Sequence, residues 1–96
     1  MKLILDISII NESARHVHAM LRKVYKSGFV PPPDVDFEDG AWSEDFKRPR
    51  QVILGLDEGY CLLRFDDILL NSEEECKQAE GRYLAHGWRS PADWPL

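Results

Sequence analysis

Carboxylates, imidazoles and thiols are the groups of this 96-residue chain with the most obvious chemistry, and their spacing restricts it. Asp6 interrupts an apolar run from Leu3 to Ile10, where a carboxylate can hold a metal ion or pair with a base. His16 and His18 lie two residues apart. On a helix such residues point about 200° away from each other, so they cannot share an ion there. No H-E-x-x-H or C-x-x-C spacing occurs, so no zinc site is expected. Asp34, Asp36 and Glu38 alternate, and Asp45 falls twelfth, as in a calcium loop. The glycine such a loop needs at its sixth place is replaced by Asp39, and Gly40 comes one residue late. Cys61 lies in an apolar run with no evident base, a setting that leaves a thiol inert. No serine sits in G-x-S-x-G, and Gly55 and Gly59 lead into no Gly-Lys-Ser/Thr. No catalytic residue, metal site or cofactor is therefore assigned.

The charge is segregated. Between Asp34 and Asp45 there are six acids and no base, and Lys47, Arg48 and Arg50 follow at once. Phe37, Trp42 and Phe46 are interleaved with the acids. Acidic residues around an aromatic anchor suit a basic protein surface, because complementary charge speeds encounter and the ring supplies buried contact. Asp34, Asp36, Glu38, Asp39, Trp42, Glu44 and Asp45 are accordingly the expected partner-binding residues. The plainer reading is a solvated loop whose aromatics close over the protein's own core. A net charge of −5 argues against direct nucleic-acid binding. The expectation is a small, acidic, non-enzymatic interaction protein that binds a basic protein surface, for instance to block a nucleic-acid-handling enzyme. Immunity proteins, antitoxins and phage-encoded inhibitors share this size and charge, which is an analogy of size and charge only. A homodimeric scaffold that pairs through a sheet edge or helix face is an alternative.

Asp6 suggests a further alternative. Leu5-Asp6-Ile7-Ser8-Ile9-Ile10 resembles the opening of PIN-domain nucleases. That resemblance implies a metal ion on Asp6 that activates water for phosphodiester cleavage. Asp66 and Asp67 would be further carboxylate ligands. It covers about ten residues, and the rest of the chain departs from the family: it is short for the layered parallel fold, and a β-hairpin breaks the alternating order. The structural alternative places Asp6 on a solvated face or beside a base.

The elements that must position these residues follow from periodicity. Residues 2–10 alternate as a strand, with Leu3, Leu5, Ile7 and Ile9 on one face. Ala14, Val17, Leu21 and Val24 recur at three and four, which predicts a basic helix over 12–27, capped by Asn11 and ended by Gly28. Residues 29–50 are an irregular, acidic, proline-rich loop. Residues 51–56 and 60–65 form a hairpin turned at Gly59, and Ile68–Leu70 is a short extension. A second helix spans 73–86, with Ser72 and Glu75 as a capping box, Cys76, Ala79 and Tyr83 inward, and Gly87 and Trp88 as its folded-back ending. Residues 88–96 are an extended tail.

The expected class is α+β: one small domain over 1–96, in β-α-β-β-α order. A mainly antiparallel three- or four-stranded sheet would carry both helices on one face. The most apolar stretch falls far short of a membrane span. No export signal is evident, so the expected location is the cytoplasm, with Cys61 and Cys76 reduced and buried.

Overall fold

Strand β1 (Lys2–Asn11) follows the alternation of its sequence. In the computed structural model, which describes residues 1–32, 34–43 and 45–94, Leu5, Ile7 and Ile9 enter the main core and Leu3 packs against it. Ile4, on the opposite face, is also buried.

The largest departure from expectation concerns residues 12–27. They form no helix; His16–Lys26 is strand β2, antiparallel to β1 along nearly its whole length. Two local causes are visible. Asn11 Oδ1 accepts from Ala14 N at 3.1 Å, closing a turn rather than capping a helix. The side chain that satisfies a helix N-terminus also closes such turns. Arg15 completes the reversal with φ 54°. The same segment also carries an alternating apolar set that shares Leu21 with the helical one: Ala19, Leu21 and Tyr25 stand opposite Ile9, Ile7 and Leu3. A full-length partner strand satisfies every second backbone group, which outweighs a modest helical pattern. Gly28, expected to end a helix, does not adopt positive φ.

Next to the turn of this hairpin the register moves from Ile9/Ala19 to Ile10/Val17, two residues on β2 for one on β1. His18 is the extra residue of this bulge, and a bulge re-aims a side chain. Its imidazole lies 3.0 Å from Glu80 Oε1 and 3.5 Å from Glu73 Oε1.

The expected loop over 29–50 contains structure. Phe37–Glu38 (β3) and Phe46–Lys47 (β4) form a two-stranded antiparallel ladder, with a single 3₁₀ turn at Gly40–Trp42 between them. The chain then forms the anticipated hairpin from β5 (Gln51–Gly55) and β6 (Tyr60–Arg64), with Gly59 at φ 73°. Gly55 marks a close approach: a Cβ there would collide with the Tyr60 ring. Ile68–Leu70 is β7.

The main sheet is mixed and five-stranded, in the order β2-β1-β6-β5, with β7 also on β1. β1 runs parallel to β6 over Lys2–Asp6 and parallel to β7 over Ile9–Asn11. This corrects the expected mainly antiparallel sheet of three or four strands. Parallel pairing needs a crossover, and here β2 and the 29–50 excursion supply one that no local pattern reveals.

Among the described residues α1 (Glu73–Ala85) is the one α-helix, so the order is ββ-(excursion)-βββα rather than β-α-β-β-α. Its ends follow their sequence signals. Ser72 Oγ accepts from Glu75 N at 3.1 Å. Gly87, at φ 91°, turns the chain so that Trp88 N donates to Tyr83 O at 3.2 Å. Trp88 stacks edge-on against Tyr83 with centroids 5.1 Å apart. Cys76, Ala79 and Tyr83 face inward, and the helix packs across β1 and β2. No described helix is long and apolar enough to cross a membrane.

Candidate interaction surface

The 29–50 excursion is pinned at its middle by Asp39. Its side chain is 1% exposed and accepts four hydrogen bonds. Oδ1 takes Lys23 Nζ at 2.7 Å and Tyr25 Oη at 2.9 Å. Oδ2 takes Ala41 N and Trp88 Nε1, both at 2.9 Å. One carboxylate thus joins β2, the 3₁₀ turn and the segment after α1. Burial pushes its pKa up, but the bonds from Lys23, Trp88, Ala41 and Tyr25 overcome this and hold it below the ordinary carboxylate value. Burial opposes the charge on Lys23, yet its bonds to Asp39 and Tyr25 leave its pKa raised.

Trp42 is the second pin. It is 4% exposed, donates through Nε1 to Tyr83 Oη at 2.8 Å, and packs against Phe65 and Trp88. Burial pushes the Tyr83 phenol up to about 12. Phe37 meets Phe65 edge-on at 6.0 Å, and Arg82 Nε donates to Ala41 O at 3.0 Å. Two residues expected at a partner surface, Asp39 and Trp42, are therefore inside the protein. Asp39 is occupied by Lys23, Tyr25, Ala41 and Trp88, and Trp42 by Tyr83, Phe65 and Trp88.

The remaining acids divide differently. Asp34, Asp36, Glu38 and Asp45 are exposed. Asp36 accepts from Arg48 Nε at 3.0 Å across a pair in which both side chains are more than half exposed. Glu44 lies outside the described residues. Of the three aromatics interleaved with the acids, Phe46 is the one that reaches solvent, 66% exposed, opposite Glu38 in the ladder and next to Asp45. Its signal in the sequence is its place in the alternation: Phe37 and Lys47 form the neighbouring ladder pair, so Phe46 shares a face with Glu38 rather than with Phe37. The ladder itself was not legible, so that signal could not be used.

Asp6 occupies the middle of a polar row across three strands: Arg22 stands opposite it on β2 and Arg64 on β6. Arg22 grips both carboxylate oxygens, Nε to Oδ1 at 2.6 Å and a terminal nitrogen to Oδ2 at 2.8 Å. The hydrogen bond to Asp6 raises the Arg22 pKa, against the lowering effect of burial. Asp6, Ser8, Met20, Arg50, Arg64 and Asp67 are among the residues lining a shallow cleft of about 260 Å³. A carboxylate already bound at both oxygens and flanked by arginines is a poor cation ligand. Among the described residues no group of three or more His, Cys, Asp or Glu is placed to hold a metal ion. The arrangement fits an Asp6 paired with a base.

Cys61 and Cys76 are free and buried. Burial raises both thiol pKa values, and Glu73 and Glu75 add to the effect on Cys76.

No family model, no curated protein and no solved structure matches the chain.

Proposed function

We propose that this chain is a small, non-enzymatic interaction protein that binds a basic protein surface through the outer side of its 29–50 excursion. The observation that carries the reading is Phe46, a solvent-facing ring opposite Glu38 and beside Asp45, on a segment pinned by Asp39 and Trp42. Phe46 takes the anchor role first given to Trp42, with Asp34, Asp36, Glu38 and Asp45 as the charged surround. A large apolar side chain on a fixed base loses little freedom on binding. Acids around it steer a cationic partner and disfavour an anionic one, nucleic acid included. Size and charge fit the inhibitor, immunity and antitoxin type by analogy alone. Two free thiols suit the reducing cytoplasm.

The test is partner capture from the native host, with mass spectrometry, using wild type, Phe46→Ser, and a variant carrying Asp34, Asp36, Glu38 and Asp45 as Asn or Gln. All five positions are exposed, so circular dichroism should show an unchanged fold. The expected result is loss of the same partner with either variant, and weaker capture by wild type as salt rises. Equal capture by all three proteins would falsify the proposal.

A further inference from the structure

We propose that the outer edge of β5 is a homodimer interface, in which two copies pair antiparallel about Ile53 and extend one sheet across both chains. β5 ends the strand order, and among the described residues no strand pairs with its outer side. An edge strand presents unpaired N–H and C=O groups to any chain that can lie beside it. The strand Gln51-Val-Ile-Leu-Gly carries no charge and no proline to deter this. Val52 and Leu54 stand opposite the core residues Leu63 and Cys61, on the face that α1 covers over β1 and β2. Over β5 that cover has run out: Leu54 is 47% exposed, and Leu56 in the following turn is 83% exposed.

The occupant is argued from the charges at the two ends of the strand. Lys47, Arg48 and Arg50 precede it, and Asp57 and Glu58 follow it. Antiparallel pairing about Ile53 brings the basic end of each copy to the acidic end of the other. Within the strand, Val52 then meets Leu54 of the partner subunit, twice by symmetry. Beyond its ends, Arg48 and Arg50 of each copy are brought towards the turn that carries Asp57 and Glu58 of the partner subunit. Parallel pairing would instead set like charges side by side. Arg48 contacts Asp36 through Nε, and its side chain is more than half exposed. The pairing is isologous, using the same strand edge of both copies, so the assembly closes at two copies rather than growing into a fibre. This inference is independent of the acidic surface around Phe46.

The test is light scattering on the full chain from about 10 μM to about 1 mM, the range suited to a small strand-pairing interface. The expected result is a rise from 11.1 kDa towards twice that mass. Leu54→Lys, an exposed change that should leave the circular dichroism spectrum intact, should hold the protein at monomer mass throughout. Arg48→Glu alone and Glu58→Arg alone should each weaken self-association by about tenfold or more, and an equimolar mixture of the two should restore it. A monomer at every concentration overturns the inference. So does a dimer that survives Leu54→Lys, or one that the mixture fails to restore.

Discussion

At Arg22, midway along the outer side of β2, the segment after α1 returns to bridge the edge. Arg22 and Arg89 exchange backbone hydrogen bonds of 2.7 and 2.9 Å, Arg22 also donates to Trp94 O, and Lys23 is drawn inward by Asp39. Along the outer side of β5 nothing comparable happens. Its side chains are uncharged, its apolar residues are partly exposed, and its charges lie beyond its two ends. One edge is closed by charge and by the segment after α1; the other is left able to pair. Exposed edges are a hazard that proteins usually suppress. An edge left bare in a molecule that bridges the opposite one is the edge open to a second copy.

The contrast can be broken from the covered side first. Asp39→Ala leaves Lys23 and the indole of Trp88 without their shared acceptor. It should cost about 3–5 kcal/mol, a large share of the stability of a domain this size. Urea unfolding followed by tryptophan fluorescence would measure it. The pH dependence has a definite sign. The folded-state pKa of Asp39 lies below its ordinary 3.8, so its contribution is complete above 3.8 and is lost as pH falls from there through the lower folded-state value. Asp39→Asn should flatten this acid limb in melts between about pH 5 and pH 2.

Arg22→Met comes next. It removes the two-pronged grip on Asp6 and the bond to Trp94 O while the backbone bridge to Arg89 remains. A loss of about 2 kcal/mol is expected. Faster hydrogen exchange at the Arg89 amide would show whether the covered edge had loosened.

On the bare side, Leu54→Lys should change monomer stability by about 0.5 kcal/mol or less, because the side chain is already half in water. A loss above about 2 kcal/mol would mean that β5 is covered in solution by its own chain, and the contrast would fail. The smallest effect belongs to Asp36→Asn. Its pair with Arg48 is exposed at both ends, so thermal melts should shift by about 0–1 kcal/mol in equivalent stability.

Much of the frame was legible from local signals, because those signals had one reading each. Ser72 with Glu75, and Gly87 with Trp88, bracket a helix and nothing else. Alternation from Leu3 to Ile9 specifies a strand with a buried face. Asn11 had two readings, since its side chain suits a helix cap and a tight turn equally, and the residues after it satisfied both periods. The choice was made by β1, which offers β2 a ladder along its length. Parallel pairing to β6 and β7 depends on distant segments and leaves no local trace. The same limit applied at the candidate site. Asp39 differs from its acidic neighbours only in what Lys23, Tyr25 and Trp88 bring to it from other parts of the chain. The pairing of Asp6 with Arg22 follows the plainer of its two readings, because a structural carboxylate in a sheet is rarely left alone.

Strand β1 has one further consequence, for how the protein is made. It draws its partners from opposite ends of the polypeptide: β2 on one flank, and β6 with β7 on the other. A chain emerging from the ribosome can shelter one side of Ile4, Ile7 and Ile9 as soon as the first hairpin zips. The other flank stays open until Tyr60 to Leu70 have been synthesised. Such late, distant closure makes for slow folding, and the isoleucine-rich amino-terminal ribbon is the segment for which a holding chaperone would compete.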